Sequence, residues 1–551
     1  MPKDAPDTIN KQLKFLATQA PHKNGFIFIG SSKETFPLSR NQLWDLGGRF
    51  ASRLRCHGIQ KADIICNTIP NSRTRLITDL GIIMAGAVTL NGELAFKDGQ
   101  DLFTRLNNTK CQTIITVTSD AIHSLLRPYL VREDVKSGTG QGKFYRVNCE
   151  RVPSLQLLVA QYADSHEDHT AFLCGLDKED FFDAQVQPDD EAHIFITSGS
   201  TGTSKLVPRT HREVLAIAEN FGSLLSPSDI MFNERDLGWL GGFPHAYYSQ
   251  GVVTVVKERL RGKQPRSVRS IFNFLIDYGV TVASLMTSEI IELKKGFDNG
   301  EIDRKVPAVI LGGQPITKNV HEILSRVADK GHILYGSTEA GFIVTGNVTP
   351  DNKDRLKAFF VGKLFAKGVE MRLVEEMTGA SVTSSNVTGK IILRGGTVLR
   401  KYLNQESSTT GVFTSDGWYD TGDIGYIDEF GDIHVIGRNS DSVMNGPEII
   451  YPQWMENDIG KCPGVESVII VGIPHPDIAQ EICACVVRSK NSNLSEEDLI
   501  AFCETLYVKA IPAERFKAFK ILFLDSFPLN ANGKIMRREL RDLAIDYFSN
   551  Q

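Results

Sequence analysis

The chain of 551 residues exceeds what one hydrophobic core usually organises, so we expect at least two domains, and its 41% apolar content is ordinary for a protein that folds in water. The net charge of -5, with Lys and Arg spread along the sequence, disfavours nucleic acid and other large polyanions as partners. No apolar run approaches the ~20 residues of a membrane span, so an integral membrane protein is also disfavoured.

The two ends and the cysteines predict a cytoplasmic protein. The first ten residues contain no apolar segment of an export signal, and the last residues are not a peroxisomal tripeptide. The nine cysteines include no CxxC pair and no metal-ligand spacing. We therefore expect reduced, mostly packed thiols in a reducing compartment.

The first strong helical pattern is "NQLWDLGGRFASRLRCHGI", which follows residue 40. Its apolar face is formed by Leu43, Leu46, Phe50 and Leu54. Gly58 follows the last of these residues and is a candidate helix cap.

Residues 197–211, "TSGSTGTSKLVPRTH", place three Thr, three Ser and two Gly before Lys205. Such a backbone bends easily and offers many donors, so it suits clustered anionic oxygens, with the lysine adding a full charge. A short apolar strand, "HIFI", precedes the stretch, and a helical pattern over "REVLAIAENFGSLL" follows it. The P-loop fingerprint is absent, because Lys205 follows Gly202 by three residues and precedes Leu206. The alternative interpretation is a flexible Ser/Gly linker.

Further along the chain, buried strands alternate with helices and predict α/β architecture. "VTVASLM", "AVILGG" and "HILYG" are predicted strands, and "VHEILSRVADK" is a predicted helix between two of them. Beyond residue 360, short strands and turns predict a small β subdomain. After Gly437 a compact α+β pattern begins, with a capping box from Ser495 to Asp498 and a basic final helix. We place the domains at 1–437 and 438–551.

Five local signals together supply what an enzyme of nucleoside triphosphates needs: an anion cradle, two carboxylates, an arginine and a lysine. In chain order they are the loop with Lys205, "YGSTEAG" (335–341), "YDTGDIG" with Asp423, the pair Gly437 and Arg438, and "PLNANGKIMRREL" with Lys534.

The order of these signals resembles the adenylate-forming superfamily, which comprises acyl- and aryl-CoA synthetases, nonribosomal adenylation domains and firefly-type luciferases. The resemblance extends over nearly the whole chain and includes an N-terminal stretch that ends in the turn at Pro70, Asn71 and Ser72. It implies a large N-terminal domain of α/β subdomains plus a small β subdomain, followed by a small, mobile α+β C-terminal domain.

The resemblance also assigns a nucleotide site. It places the β- and γ-phosphates of ATP against Ser198, Gly199, Ser200, Thr201, Gly202 and Lys205. It assigns Tyr335, Gly336 and Ser337 to the nucleotide, with Tyr335 against adenine, Thr338 near the α-phosphate and Glu339 on Mg²⁺. Asp423 would accept hydrogen bonds from both ribose hydroxyls, assisted by Arg438. The alternatives are a core tyrosine, a surface glutamate and a turn-capping aspartate.

Lys534 carries the chemistry in the resembled family, where it reaches the α-phosphate and the attacking carboxylate together. A cation between two anions offsets their repulsion, which gives this role a physical basis. With Lys534, we take Thr338 and His245 as candidate catalytic residues.

The segment "GGFPHAYYSQG" (241–251) lies where the family has its acyl pocket, and His245 with Tyr247 resembles a His-x-Tyr pattern of aryl and acyl ligases. Gly312 and Gly313 resemble the strand-end glycines of the same pocket. The segment has no carboxylate for a substrate ammonium, so we expect aryl or aliphatic monocarboxylates rather than amino acids. His245 could also be a packed core histidine.

The sequence therefore predicts an ATP- and Mg²⁺-dependent ligase that joins a small carboxylic acid to CoA, with AMP as product. No carrier domain follows residue 540, so a tethered assembly line is not expected. The hinge pattern departs from the family at Ser440, Met444 and Pro447, with Gly446 one place early, and Leu206 replaces a usual glycine. Two alternatives stay open: adenylation with another acceptor or luciferase-like oxidation, and a nucleotide-binding relative without turnover.

Overall fold

The computed structural model describes most of the chain, and all statements below concern the described residues. These are 5–30, 33–92, 100–117, 121–133, 142–161, 176, 179–197, 205–233, 235–258, 268–445, 448–507, 519–529 and 535–549. Within them, no helix combines the length and the apolar character needed to cross a lipid bilayer.

Helices flank the sheets throughout the described chain. They are α1 (Ile9–Gln19), α2 (Arg40–Cys56), α3 (Arg73–Met84), α4 (Gln100–Thr109), α5 (Ala121–Leu126), α6 (His211–Gly222), α7 (His245–Gln250), α8 (Val268–Asp277), α9 (Thr287–Asp298), α10 (Lys318–Val327), α11 (Glu406–Thr410), α12 (Pro452–Ile459), α13 (Glu496–Tyr507) and α14 (Arg537–Ser549), with 3-10 turns at Arg127–Tyr129 and Asn439–Asp441.

The strands fall into three sheets. They are β1 (Asn24–Ile29), β2 (Thr35–Ser39), β3 (Ile64–Asn67), β4 (Val88–Asn91), β5 (Thr113–Val117), β6 (Leu130–Glu133), β7 (Gly142–Val147), β8 (Leu157–Gln161), β9 (Glu191–Thr197), β10 (Lys205–Thr210), β11 (Ile230–Asn233), β12 (Val253–Lys257), β13 (Val282–Ser284), β14 (Val306–Gly312), β15 (Ala328–Ser337), β16 (Gly341–Val348), β17 (Phe360–Leu364), β18 (Val369–Val374), β19 (Gly389–Gly395), β20 (Tyr419–Ile427), β21 (Ile433–Arg438), β22 (Val443–Asn445), β23 (Glu448–Ile450), β24 (Val465–His475), β25 (Ala479–Arg488) and β26 (Phe519–Leu524).

Two large sheets form the first part of the chain. The eight-stranded sheet has the order β10-β9-β4-β3-β5-β8-β7-β6, and the thirteen-stranded sheet has the order β18-β19-β20-β21-β17-β16-β15-β14-β13-β11-β12-β1-β2. Strands β11 to β15 pair in parallel, and their β-branched apolar runs suit a sheet that helices cover on both faces. From β15 onward the pairing is antiparallel, and β16 joins the β17–β21 hairpins to the larger sheet. The predicted α/β fold with a small β subdomain is confirmed.

A third sheet follows Arg438. It has the order β23-β22-β25-β24 with β26 on β25, and it packs against α12, α13 and α14 over its own apolar core. Trp454 of α12 contacts the preceding part through Phe359, at 4.9 Å between ring centroids, and Tyr426, at 6.2 Å. The large sheet ends at Arg438, in keeping with the domain boundary that we place there, which stays a prediction.

The predicted local signals are largely present. In α2 the four apolar residues are buried, and Gly58 follows it with φ of +95°. The capping box at Ser495 is present, since its hydroxyl accepts from the Asp498 backbone N–H at 3.1 Å and the Asp498 carboxylate accepts from the Ser495 N–H at 3.2 Å.

One predicted helix ends early. The pattern over 320–330 predicted helix to Lys330, but α10 ends at Val327 and the next residues begin β15. Residues 328–330 are paired with β14 there, so sheet pairing outweighs the local helical pattern.

Candidate functional site

Asp423 and Arg438 face each other across the β20–β21 hairpin, where they are register partners. The Arg438 Nε lies 2.9 Å from Asp423 Oδ1, and the Tyr335 hydroxyl donates to Asp423 Oδ2 at 2.7 Å. Tyr335 lies on β15, so two distant segments meet at one carboxylate. A carboxylate oxygen can accept more than one hydrogen bond, so these contacts are compatible with a ligand that donates to Asp423.

The turn before Asp423 is fixed by its own side chains. The Asp423 backbone N–H donates to the Thr421 hydroxyl at 3.0 Å, and that hydroxyl donates to the Ile391 carbonyl at 2.8 Å. Gly422 has φ of +71°, a conformation that other residues adopt at a cost, which explains the glycine in the sequence "TGD". Arg438 Nη1 donates to the Thr421 carbonyl at 2.9 Å and closes the turn. The carboxylate is therefore held in one direction.

Burial and the charges around Asp423 keep Tyr335 protonated and Arg438 positively charged. Burial, and then the Asp423 carboxylate, raise the pKa of the Tyr335 hydroxyl well above its usual range. Asp423 raises the pKa of Arg438, with smaller contributions from Tyr335 and Glu339. Tyr335 thus remains a donor, and Glu339 lies within electrostatic reach of the same arginine.

Glu339 follows β15 and is positioned by a tyrosine. The Tyr402 hydroxyl donates to Glu339 Oε1 at 3.0 Å, and the Tyr419 hydroxyl in turn hydrogen-bonds Tyr402. The backbone of Glu339 is fixed as well, since its carbonyl accepts from the Leu399 N–H at 2.7 Å. Burial first, and then Glu339, raise the pKa of both tyrosines. Lys205 Nζ lies 4.9 Å from the centre of the Tyr402 ring, so Lys205 and Glu339 lie on either side of one residue.

Arg209 is a residue that our sequence reasoning missed. It is fully buried on β10, and its guanidinium donates to the Thr338 carbonyl at 2.7 Å and the Thr397 carbonyl at 2.8 Å. Burial lowers its pKa, whereas Glu213 and Glu339 oppose that shift. The only sequence signal was a charged residue inside an otherwise apolar strand, "KLVPRT". Arg209 fixes the backbone on which Thr338 and Glu339 lie.

At the end of β15, Gly336 has no room for a side chain, and the Ser337 hydroxyl has no hydrogen-bond partner among the described residues. A Cβ on Gly336 would lie 2.1 Å from the Gly341 carbonyl oxygen, so only glycine fits without a shift. The buried Ser337 Oγ has no hydrogen-bond partner among the described residues. Because an unpartnered buried hydroxyl is costly, it suits an oxygen supplied by a ligand. Glu339 itself is partly exposed beside it.

The predicted phosphate loop lies in sequence between β9 and β10. Ser198, Gly199, Ser200, Thr201 and Gly202 lie outside the described residues. Their flanks, β9 and β10, are antiparallel, with Lys205 opposite Thr197. We expected strand, loop and helix in direct succession, and this is corrected: β10 intervenes before α6, because its buried Leu206 and Val207 pair with β9. Lys205 therefore begins a strand.

His245 and Tyr247 open α7 and are both buried. The His245 ring lies edge-on to Phe342, with 5.4 Å between centroids, and burial lowers its pKa to about 3. The imidazole is therefore neutral at working pH. Tyr247 packs on Phe26 at 5.3 Å between centroids, and burial raises its pKa above its usual range. Their roles in an acyl pocket stay predictions.

Gly312 and Gly313 lie at the end of β14, as expected. A Cβ on Gly312 would lie 2.1 Å from the Leu334 carbonyl oxygen, and Gly313 has φ of +89°. A second residue missing from the sequence reasoning, Arg235, donates from Nη2 to the Gly312 carbonyl at 3.3 Å. These strand-end glycines thus meet a buried cation.

Lys534 lies outside the described residues, as do Gly446 and Pro447. Leu529 and Ile535, which flank residues 530–534 in the chain, form a β-bridge with each other, and α14 follows. Arg537 at the start of α14 lies 3.5 Å from Asp441, in the short turn that contains Ser440. Met444 on β22 is exposed. Arg537 thus ties the lysine-bearing segment to the residues directly after Arg438.

The described site consists of two groups of residues in contact: Tyr335, Asp423 and Arg438 form one, and Glu339, Tyr402 and Lys205 form the other. Electrostatic interaction between Arg438 and Glu339 links the two groups. The site does not form a cage of metal ligands, since no group of three His, Cys, Asp or Glu side chains with that geometry occurs in the described ranges. One carboxylate is what Mg²⁺ needs when phosphates supply further ligands.

Sequence comparisons identify a family and relatives of the chain. The model of the AMP-binding enzyme family matches residues 16–403, and that of the AMP-binding enzyme C-terminal domain matches residues 455–534. A protein named 4-coumarate--CoA ligase-like 2 from Arabidopsis thaliana is 26% identical over 544 residues, which cover 96% of this chain and 90% of that protein.

Solved structures share the fold. An ATP-bound RpMatB-BxBclM chimera has a TM-score of 0.79 at 20% identity and covers 99% of this chain and 100% of its own. The o-succinylbenzoate CoA synthetase of Bacillus subtilis with its acyl-adenylate intermediate has a TM-score of 0.74 at 21% identity, covering 96% and 98%. At these identities the likeness concerns the fold.

Proposed function

The chain belongs to the family of AMP-binding enzymes, and from that premise we propose that it is an AMP-forming carboxylic acid–CoA ligase. It activates an acid with ATP, releases pyrophosphate and passes the acyl group to the thiol of CoA. The names of relatives support the acceptor, since the Arabidopsis protein is named as a CoA ligase.

One observation carries the proposal: Asp423 is held between Tyr335 and Arg438. Two segments 88 positions apart converge on a single carboxylate, and a carboxylate oxygen can accept more than one hydrogen bond. A carboxylate fixed in this way suits a pair of vicinal hydroxyls, as in ribose. The nearby Tyr335 ring suits an adenine face.

The triphosphate end lies toward Glu339 and Lys205. Lys205 supplies positive charge, and the unpartnered Ser337 hydroxyl suits an anionic oxygen. Glu339 would hold Mg²⁺, oriented by the Tyr402 hydroxyl. When bound, the metal offsets charge on the leaving pyrophosphate.

The reacting acid meets the α-phosphate near Thr338, whose backbone Arg209 fixes. The carboxylate oxygen attacks phosphorus, the bond to the pyrophosphate oxygen breaks, and an acyl-adenylate forms. Lys534 would offset the repulsion between the two anions. His245 would lie beside the acyl part of the substrate. Because burial lowers its pKa, the His245 imidazole is neutral and adds no charge to the site.

In this proposal, transfer to CoA requires the residues after Arg438 to rotate as a unit, so that a different face of that unit lies against the acyl-adenylate. The Arg537–Asp441 contact joins α14 to the turn at Ser440, so a rotation there would carry the Lys534 segment with it. The residues Ser440 and Met444 depart from the family pattern in this region. That departure favours one second candidate, adenylation with a different acceptor.

The test is acid-dependent exchange of labelled pyrophosphate into ATP, run over a panel of carboxylic acids. Exchange that requires an acid supports adenylation, and AMP formation that further requires CoA supports the ligase. Exchange with AMP release indifferent to CoA favours the second candidate. A folded protein that binds ATP but shows no exchange with any acid would contradict both.

A further inference from the structure

Arg235 occupies the junction of the two glycine segments assigned to the acyl pocket. It lies two positions after β11, and its Nη2 donates to the Gly312 carbonyl at 3.3 Å. A Cβ on Gly241 would lie 2.7 Å from Arg235 Nη1, and one on Gly313 would lie 4.0 Å from the same atom. A side chain at Gly241 would therefore collide with the guanidinium, whereas a Cβ at Gly313 would be in ordinary van der Waals contact with it.

The guanidinium has more donors than it uses. It can donate five hydrogen bonds, and the hydrogen bond to the Gly312 carbonyl, at 3.3 Å, is a long one. Its Nε is buried and has no hydrogen-bond partner, and no ion pair of Arg235 occurs within the described part of the chain. Burying a cation without a partner is costly, so an arginine kept here needs an anion from elsewhere.

Glu289 is the charge that acts on Arg235, and it is already engaged. Its Oε2 accepts from the Met286 backbone N–H at 2.7 Å at the start of α9. Burial lowers the pKa of Arg235, and Glu289 opposes that shift from beyond ion-pair distance. The guanidinium remains cationic and only partly compensated.

The backbone around Arg235 is fixed independently of its side chain. Asn71 donates to the Arg235 carbonyl at 2.9 Å and accepts from the Leu237 N–H at 2.8 Å. Asn233 accepts from the Arg235 N–H at 3.2 Å and donates to the Gly241 carbonyl at 2.8 Å. The position is therefore preorganised, which is what a binding group needs and what a merely structural arginine does not.

The place of Arg235 along the sheet distinguishes it from the reacting end of the site. Its partner Gly312 is opposite Leu334, and Thr338 lies four residues further on. Strand β15 continues for three of those residues, to Ser337, which at roughly 3.3 Å per residue is about 10 Å along the strand direction. A group that meets Arg235 is thus at the far end of an acid whose reacting carboxylate is near Thr338.

We propose that Arg235 binds a second carboxylate, at the end of the substrate remote from the reacting group, so that the preferred substrates are dicarboxylic acids. A planar guanidinium matches a carboxylate through two parallel hydrogen bonds, and the unpartnered Nε lies beside Nη2, which carries a second N–H besides the one that meets Gly312. This inference rests on the proposed function. It replaces the monocarboxylic acids that we expected from the segment 241–251 alone.

The test compares each diacid with its own half-amide, which keeps length and shape and removes the distal charge. Glutaric, adipic and phthalic acids with their half-amides are assayed by pyrophosphate exchange for kcat/KM. We expect the wild-type protein to prefer at least one diacid over its half-amide. The substitution Arg235→Gln is expected to lower that ratio of kcat/KM by about 10- to 100-fold, the value of a charged hydrogen-bond pair.

Two further variants complete the design. Arg235→Lys keeps the charge without the planar fork and is expected to retain part of the preference. Arg212→Gln removes an exposed arginine that pairs with Asp189 on the surface, and is expected to keep the wild-type ratio.

Each outcome decides. A wild-type preference for half-amides, or the same ratio in wild type and Arg235→Gln, would overturn the inference, the latter because Arg235 would then serve the reacting carboxylate or the scaffold. If Arg235→Gln does not fold, the wild-type ratio and Arg235→Lys decide. If no acid supports exchange although ATP binds, the proposed function fails, and calorimetry with the diacid alone decides: weaker binding to Arg235→Lys than to wild type supports the inference, and no binding to wild type or equal binding to both proteins overturns it.

Discussion

Replacing Asp423 by alanine tests the ribose assignment most directly. The change removes the carboxylate that accepts from Tyr335 at 2.7 Å and pairs with Arg438 at 2.9 Å. Each charged hydrogen bond lost to a ribose hydroxyl costs about 1.5–3 kcal/mol, so the KM for ATP should rise by roughly 10- to 100-fold or more. The Arg438 side chain is half exposed and relaxes into water, whereas the buried Tyr335 hydroxyl loses its acceptor, at about 1–3 kcal/mol of folding stability.

The assay separates ribose binding from general damage by changing the nucleotide. Wild type should discriminate against 2′,3′-dideoxy-ATP in pyrophosphate exchange, and Asp423→Ala should lose most of that discrimination. Asp416→Ala, which removes an exposed carboxylate just before the same hairpin, is the matched control and should behave as wild type. If Asp423→Ala weakens ATP and its dideoxy analogue equally, the carboxylate does not bind ribose and the reasoning is refuted.

Three further predictions concern the remaining site. Lys534→Ala should lower adenylate formation by about 10²-fold and leave thioester formation from supplied acyl-adenylate and CoA largely intact; equal loss of both steps would contradict this. Tyr402→Phe removes the donor to Glu339 and should raise the Mg²⁺ concentration for half-maximal exchange by about 10-fold or more, whereas an unaltered Mg²⁺ profile would exclude the positioning role. Burial lowers the pKa of His245 to about 3 from an unfolded value of about 6.5, so its contribution to the free energy of unfolding is complete above pH 6.5 and is lost as the pH falls toward 3. In His245→Asn, urea unfolding from pH 4 to 7 should therefore depend less steeply on pH, and parallel curves for the two proteins would disprove it.

The family and the α/β fold could be predicted because their signals are local. The sequence "TGD" carries its own turn chemistry, with Gly422 at positive φ and Thr421 beneath the Asp423 backbone. The apolar runs of β13 to β15 are continuous because parallel strands are buried on both faces. Neither feature depends on distant parts of the chain.

The unpredicted features depend on contacts between distant segments. Arg235 meets Gly312 across 77 positions, and Tyr402 meets Glu339 across 63. Nothing in the residues beside either one indicates its partner. Strand β10 was missed for a related reason, since Leu206 and Val207 are a short apolar run that becomes a strand only when β9 lies beside it.

The contact of Trp454 with Phe359 and Tyr426 provides an intrinsic fluorescent probe of the predicted domain boundary at Arg438. The chain has four tryptophans, and Trp44, Trp239 and Trp418 all precede Arg438. Trp454 alone follows it, and its indole rests on rings of the preceding hairpin region while remaining partly exposed. A rotation of the residues after Arg438 would separate Trp454 from the rings of Phe359 and Tyr426 and expose the indole to water. In a variant whose other three tryptophans are replaced by phenylalanine, the emission wavelength of Trp454 would therefore report this rotation as each substrate is added.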